Sequence, residues 1–228
     1  HADGRLSKDM PRASPPATYV FDPKNPVPTI GGNVSSEGVL MARGAQDQRC
    51  ATDQWLCKDT LPLSARQDVL VFQTPPLDAD VEVTGPLVVK LWAASNGPDT
   101  DFTAKLVDVY PPTRGFPAGI DLNIGDSIIR ARYRESLKTP KMLVPNQPVE
   151  LTIEMYPTSI IFQRGHRIRL DISSSNFPRF DVNPNTGEPL NENRRWRLAE
   201  NSVYHDPQHP SQMILPIIST TKSRSNAR

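Results

Sequence analysis

Apolar and polar residues alternate along this chain in short runs, mostly with a period of two. Val149-Glu-Leu-Thr-Ile-Glu-Met155 is the clearest such segment, and His166-Arg-Ile-Arg-Leu-Asp-Ile-Ser173 matches it. Phe102-Thr-Ala-Lys-Leu-Val-Asp-Val109 and Ser127-Ile-Ile-Arg-Ala-Arg-Tyr-Arg134 alternate too, the latter with Arg130, Arg132 and Arg134 on one face. Asp68–Phe72 and Met213–Ile218 are shorter apolar runs, and Val81–Ala93 reads as two strand pieces around Gly85-Pro86. Turn residues separate these segments, and no alternating helix pattern appears. The pattern predicts an all-β domain, a sandwich or jelly roll, rather than a parallel α/β sheet. One helix is expected, at Asn191–Glu200, where Arg194, Arg195, Arg197 and Leu198 are good helix formers.

The segments fall in order. Residues 1–30 read as an extended, Pro-rich arm with Tyr19-Val20-Phe21 as its apolar anchor. Residues 31–66 read as an irregular region punctuated by Gly31-Gly32, Ser35-Ser36, Gly38 and Gly44. Residues 67–219 carry the strand signals of the sandwich core, and the polar residues 220–228 form a frayed tail. The whole, 1–228, is read as one domain.

Composition adds less than pattern. The 24 prolines exclude long helices. Lys plus Arg number 26 against 25 Asp plus Glu, so no net field points to nucleic acid or an anionic membrane. No apolar run is long enough for a membrane-spanning helix. The start at His1, without a Met, fits a processed or truncated chain. No targeting signal is visible, so cytoplasmic and exported locations both stay open. Cys50 and Cys57 can form a small disulfide or stay free, and nothing nearby completes a zinc site.

Candidate chemistry is sparse. A serine hydrolase of the α/β type needs its nucleophile on a strained turn of the form G-x-S-x-G, and that motif is absent. Ser173-Ser-Ser175 lacks the flanking glycines and reads as a polar strand end whose hydroxyls bond backbone. His166 reads as a strand-start residue. His205 and His209 are four apart, but Pro207 between them breaks the helical spacing a metal pair needs, and both read as turn residues before the last strand. Asp99-Thr-Asp101, with Asp108 and Asp121, has the oxygen chemistry of a calcium site, but turn and strand-start bonding is the simpler reading. The arginines at 130, 132 and 134 read as a solvated or interdomain strand face. No cofactor and no metal is expected.

Several blocks together resemble one family. They are Tyr19-Val-Phe-Asp-Pro-Lys-Asn-Pro-Val-Pro-Thr-Ile-Gly-Gly32, Asp47-Gln-Arg49, Asp68–Phe72, Val81–Gly85, Asp99–Tyr110 and Arg130-Ala-Arg-Tyr-Arg-Glu135. Gly165-His-Arg-Ile, Ser173-Ser-Ser-Asn-Phe-Pro178, Asn185-Thr-Gly187 and His209-Pro-Ser-Gln-Met-Ile-Leu-Pro216 complete the set. The chain is similar to the C-terminal domain shared by X-Pro dipeptidyl peptidases, cocaine esterase, glutaryl-acylases and α-amino-acid ester hydrolases. The resemblance implies a jelly-roll β-sandwich of the galactose-binding-like type. It implies an accessory domain of a serine ester or amide hydrolase, packed on an α/β-hydrolase domain that holds the triad. It implies that the residues after Gly31-Gly32, namely Asn33, Val34, Ser35 and Ser36, border the acyl pocket, and that no residue of this chain belongs to the triad. Homo-oligomers are a further possible assembly. The competing reading is a stand-alone carbohydrate- or ligand-binding sandwich, with Trp55, Trp92 or Trp196 stacking on a sugar; against that, Trp92 reads as core.

Overall fold

Strands β3 (Val81–Ser95) and β6 (Val149–Phe162) form the longest pairing of the fold, antiparallel from Val81↔Phe162 to Ala93↔Val149. Their alternation explains it. Leu91↔Leu151, Val89↔Ile153 and Leu87↔Met155 point inward as buried cross-strand pairs. Lys90 and Thr152 point outward on the opposite face, joined by a 2.8 Å hydrogen bond. The chain does not break at Gly85-Pro86; β3 runs through it with a register shift between Gly85 and Leu87. Gly85 absorbs that bulge at φ +137°, a conformation open to glycine.

The structure, a computed structural model, describes residues 3–33, 43–52 and 54–219. The other strands are β1 (Ala17–Phe21), β2 (Leu70–Gln73), β4 (Asp101–Tyr110), β5 (Ile120–Arg130), β7 (Arg167–Ser173), β8 (Ala199–Asp206), β9 (His209–Pro210) and β10 (Gln212–Ile214). They form two antiparallel sheets. One has six strands, with β8, β10 and β6 all paired to β3, β1 on β8, and β9 on β8. The other has four, in the order β2-β7-β4-β5. One apolar core lies between them, with Leu87, Leu91, Leu151 and Phe162 from the first sheet and Phe102, Leu106, Leu170 and Ile172 from the second. Burying each such side chain contributes about 1.5–3 kcal/mol. The chain is therefore a β-sandwich, as its alternation predicts.

The arm packs on this frame. Tyr19 and Phe21 of β1 are core residues. Beyond them Val27, Ile30, Leu63 and Val69 form a second apolar cluster with Cys50, which is bonded to Cys57. That disulfide settles the alternatives left open by the spacing.

Two expectations fail. Asn191–Glu200 is not a helix. Asn191 takes a left-handed φ of +64°, and β8 begins at Ala199. The arginines there are engaged elsewhere: Arg195 pairs with Glu188 at 3.0 Å, and Arg197 donates to the Asn96 carbonyl at 2.8 Å. Tertiary partners outweigh helix propensity worth tenths of a kcal/mol per residue, roughly. The arginine face also fails. β5 ends at Arg130 and a 3-10 turn, Ala131–Tyr133, follows. Arg130 makes two bonds to Asp101, at 2.9 and 3.0 Å, and buried Arg132 donates to Asp99 at 2.8 Å. Asn183 bridges both carboxylates at 2.8 Å. The acidic pair thus anchors arginines within the fold.

Candidate functional site

The clearest open cleft bordered by a candidate residue lies at the Gly31-Gly32 corner. Gly32 and Gly44 exchange backbone hydrogen bonds of 2.7 and 3.0 Å, which clasp these two points of the chain together. Both glycines and Gly31 have positive φ, which side chains rarely adopt. At Gly31 space is the stronger demand, since a Cβ there would lie 2.5 Å from the Gly44 carbonyl oxygen.

Below the clasp sits a cleft of about 430 Å³, bordered by Asn33, Ile124, Tyr156, Pro157 and Arg179. Tyr156 stands at its rim, 69% exposed. Arg179 is ion-paired with buried Asp126, which also accepts from the Asn176 side chain. Strand β5 supplies Asp126 and Ile124, and β6 supplies Tyr156. The segment after β7 supplies Asn176 and Arg179, held to the arm through Thr29 Oγ1 at 3.2 Å.

Asp126 belongs to a wider charged layer on the outer face of the four-stranded sheet. Lys105 lies between Asp126 and Asp171 in register. Its Nζ donates to Gln48 Oε1 at 2.5 Å, and Gln48 Nε2 donates to the Ile30 carbonyl at 2.9 Å. Arg169 reaches Asp121 at 2.8 Å and Asp171 at 3.2 Å. Burial lowers the Lys105 pKa against the pull of both carboxylates, and burial raises that of Asp171. The layer is covered by Val27 of the arm together with Leu63 and Val69, leaving a gap of only about 10 Å³.

Of the candidate residues, Asn33 is exposed and borders the cleft, while Val34, Ser35 and Ser36 lie outside the described residues. Ser173, Ser174 and Ser175 are buried. Ser173 Oγ donates to the Ser175 carbonyl at 3.1 Å, Ser174 meets the Tyr19 hydroxyl at 2.7 Å, and Ser175 Oγ accepts from the Val27 amide at 2.8 Å. They tie the arm to the strand end. His166 is buried with Nδ1 3.0 Å from Asp108 Oδ1. His205 is no turn residue: it lies on β8, buried, with Nδ1 3.0 Å from Ser14 Oγ and no partner for Nε2. His209 is on β9, paired back to Asp206. One histidine thus has a carboxylate and the other a hydroxyl, so these two contacts do not assemble the nucleophile, base and orienting acid of a triad. Trp92 is half-buried on the outer face against His209, with ring centroids 5.1 Å apart, rather than in the core. Among the described residues no group of three or more His, Cys, Asp or Glu could hold a metal, and no helix is long and apolar enough to cross a membrane.

Sequence reading missed Asp126, Tyr156 and Arg179. Asp126 and Arg179 are 53 residues apart, and their pairing depends on strand register and a loop path that local pattern does not contain.

Known proteins match nearly the whole chain. Residues 2–214 fit the model of the X-Pro dipeptidyl-peptidase C-terminal non-catalytic domain. The cocaine esterase of Rhodococcus sp. (strain MB1 Bresler) is 38% identical over 217 residues, 94% of this chain and 34% of that protein. A solved α-amino acid ester hydrolase superposes with a TM-score of 0.80 at 33% identity, over 95% of this chain and 35% of its own. An aminopeptidase from a marine sediment Thaumarchaeota archaeon gives 0.77 at 31%, over 96% and 36%. The chain thus spans about a third of the length of these relatives. A β-sandwich matched over this extent places the chain in the family of X-Pro dipeptidyl-peptidase C-terminal non-catalytic domains.

Proposed function

We propose that this chain is the C-terminal accessory domain of a serine ester or amide hydrolase, of the X-Pro dipeptidyl-peptidase or acylesterase type. It packs on the α/β-hydrolase domain of the same protein, stabilises it and borders its substrate site. Asn33, Val34, Ser35 and Ser36 form that border. The observation that supports this reading is Asn33, which follows the Gly32–Gly44 clasp and borders an open cleft. A wall so placed acts on substrate choice through contacts that differ between substrates. In this reading chemistry is left to the other domain.

The test uses the full-length protein and p-nitrophenyl esters of increasing acyl size. Asn33→Ala and Val34→Trp should change the ratio of kcat/KM between acetate and benzoate esters while leaving kcat for acetate near wild type. Unchanged ratios in both variants would remove the border role. Serine-dependent ester hydrolysis by the 228-residue chain alone would overturn the accessory reading.

A second reading has one observation behind it. Trp55 and Trp196 are 45% and 54% exposed, as sugar-stacking residues would be. Saturable glycan binding lost in Trp55→Ala or Trp196→Ala would favour a carbohydrate-binding module instead.

A further inference from the structure

At the opposite edge of the sandwich, β2 and β10 end their sheets without pairing to each other. The start of the arm lies along this gap: Leu6 donates its amide to the Gln73 carbonyl at 2.9 Å, and Gln73 returns a bond to Gly4 at 2.8 Å. Outside lies a cleft of about 510 Å³ whose apolar wall includes Leu77, Val81, Ile168, Leu215 and Ile217. Inside, between the sheets, lies a void of about 50 Å³ against Phe72, Val89 and Leu170. Leu6, His205 and Met213 line both.

His205, Ser211 and Gln212 are the polar residues that line both spaces, and of these three His205 is the buried one. It is 4% exposed, Ser14 holds its Nδ1, and its Nε2 has no hydrogen-bond partner. A buried polar atom left unpaired costs about 1–3 kcal/mol, so an occupant that pairs with it is favoured. Burial lowers the His205 pKa below its ordinary 6.5, so the ring is neutral near neutral pH and attracts no carboxylate. If Ser14 donates to Nδ1, then Nε2 carries the proton and donates; if Nδ1 donates, Nε2 accepts. A hydroxyl satisfies either state. The cleft volume falls within the usual range for small-molecule sites, roughly 300–1,000 Å³.

We propose that this edge is a second ligand site, which takes a small neutral alcohol with its apolar body in the cleft and its hydroxyl on His205 Nε2. Leu6 is the side chain that yields as the ligand reaches inward. The site is separate from the Gly32 cleft and independent of the hydrolase reading.

The test titrates benzyl alcohol and toluene into the full-length protein by calorimetry, with the variants Ile217→Trp and His205→Leu. Wild type should bind benzyl alcohol saturably and roughly tenfold more tightly than toluene. Ile217→Trp, at a residue already 46% exposed, fills the cleft without disturbing the core and should remove this binding. His205→Leu should bring the two probes to equal affinity. The proposal is overturned by non-saturable binding, by binding that survives Ile217→Trp, or by an alcohol preference that survives His205→Leu. Should His205→Leu fail to fold, the Ile217→Trp result decides.

Discussion

The outer faces of the two sheets differ in one respect that matters. On the six-stranded sheet, Lys90, Glu150 and Thr152 face solvent, and Lys90 meets Glu150 at 3.6 Å with both side chains about as wet as dry. On the four-stranded sheet, Lys105, Asp126, Asp171 and Arg169 occupy equivalent outward positions but are buried, with Val27, Leu63 and Val69 over Lys105 and the two carboxylates. An exposed pair of this kind contributes about 0–1 kcal/mol. A buried charge must be paired or it is strongly destabilising. This cover turns an ordinary polar strand face into a layer that holds Gln48 and, through it, Ile30.

The largest test of this contrast compares two lysines. Lys105→Ala removes the buried cation that acts on Asp126 and Asp171 and the donor to Gln48 Oε1, while Arg179 and Arg169 stay on the carboxylates, and should cost about 3–5 kcal/mol. Lys90→Ala should cost less than about 1 kcal/mol. Urea denaturation of both variants checks this, and equal losses would mean that the covered face is effectively wet.

Next, Gly31→Ala and Gly44→Ala share nearly the same φ, +74° and +78°, but only the first meets a clash. The left-handed conformation alone should cost Gly44→Ala about 1–2 kcal/mol. Gly31→Ala adds overpacking of about 1–3 kcal/mol. A similar loss in both would show that the Gly32–Gly44 clasp is soft.

The roof itself can be loosened. Replacing Cys50 and Cys57 together by Ser opens a short loop and should cost about 2–3 kcal/mol. Amides of the second cluster, such as Val69, should lose hydrogen-exchange protection while those of β3 and β6 keep it. Uniform loss across the sandwich would argue against a separately anchored roof.

The smallest effect is on pH. The folded pKa of His205 lies below its unfolded value of 6.5, so the unfolded state binds more protons in the window beneath 6.5. Its contribution to stability is thus present above that window and lost as pH falls through it. His205→Gln should show a shallower fall in urea midpoint between pH 7.5 and pH 5.5 than wild type.

The alternation of Val149–Met155 and His166–Ser173 made strands β6 and β7 legible, because period two needs no tertiary information. It could not reveal that Asp171 and Lys105 are covered, since a buried polar face and a wet one have the same pattern. Nor could it reveal that Arg132 turns inward, because Asp99 reaches it only after the chain leaves the strand at Arg130. Arg195 and Arg197 look helical until Glu188 and Asn96 are placed beside them. At the candidate site Asn33 was singled out by the family resemblance, whereas Tyr156 lies just past the alternating segment Val149–Met155 and belongs to no motif.

The Gly32–Gly44 clasp has an evolutionary consequence. Two backbone hydrogen bonds join Gly32 to Gly44, and main-chain groups make them whatever side chains the intervening sequence carries. Lengthening a closed loop costs little, about 0.6 kcal/mol for each doubling. A sequence exchanged between Gly32 and Gly44, by selection or by an engineer, therefore meets a junction held by main-chain bonds rather than by its own side chains.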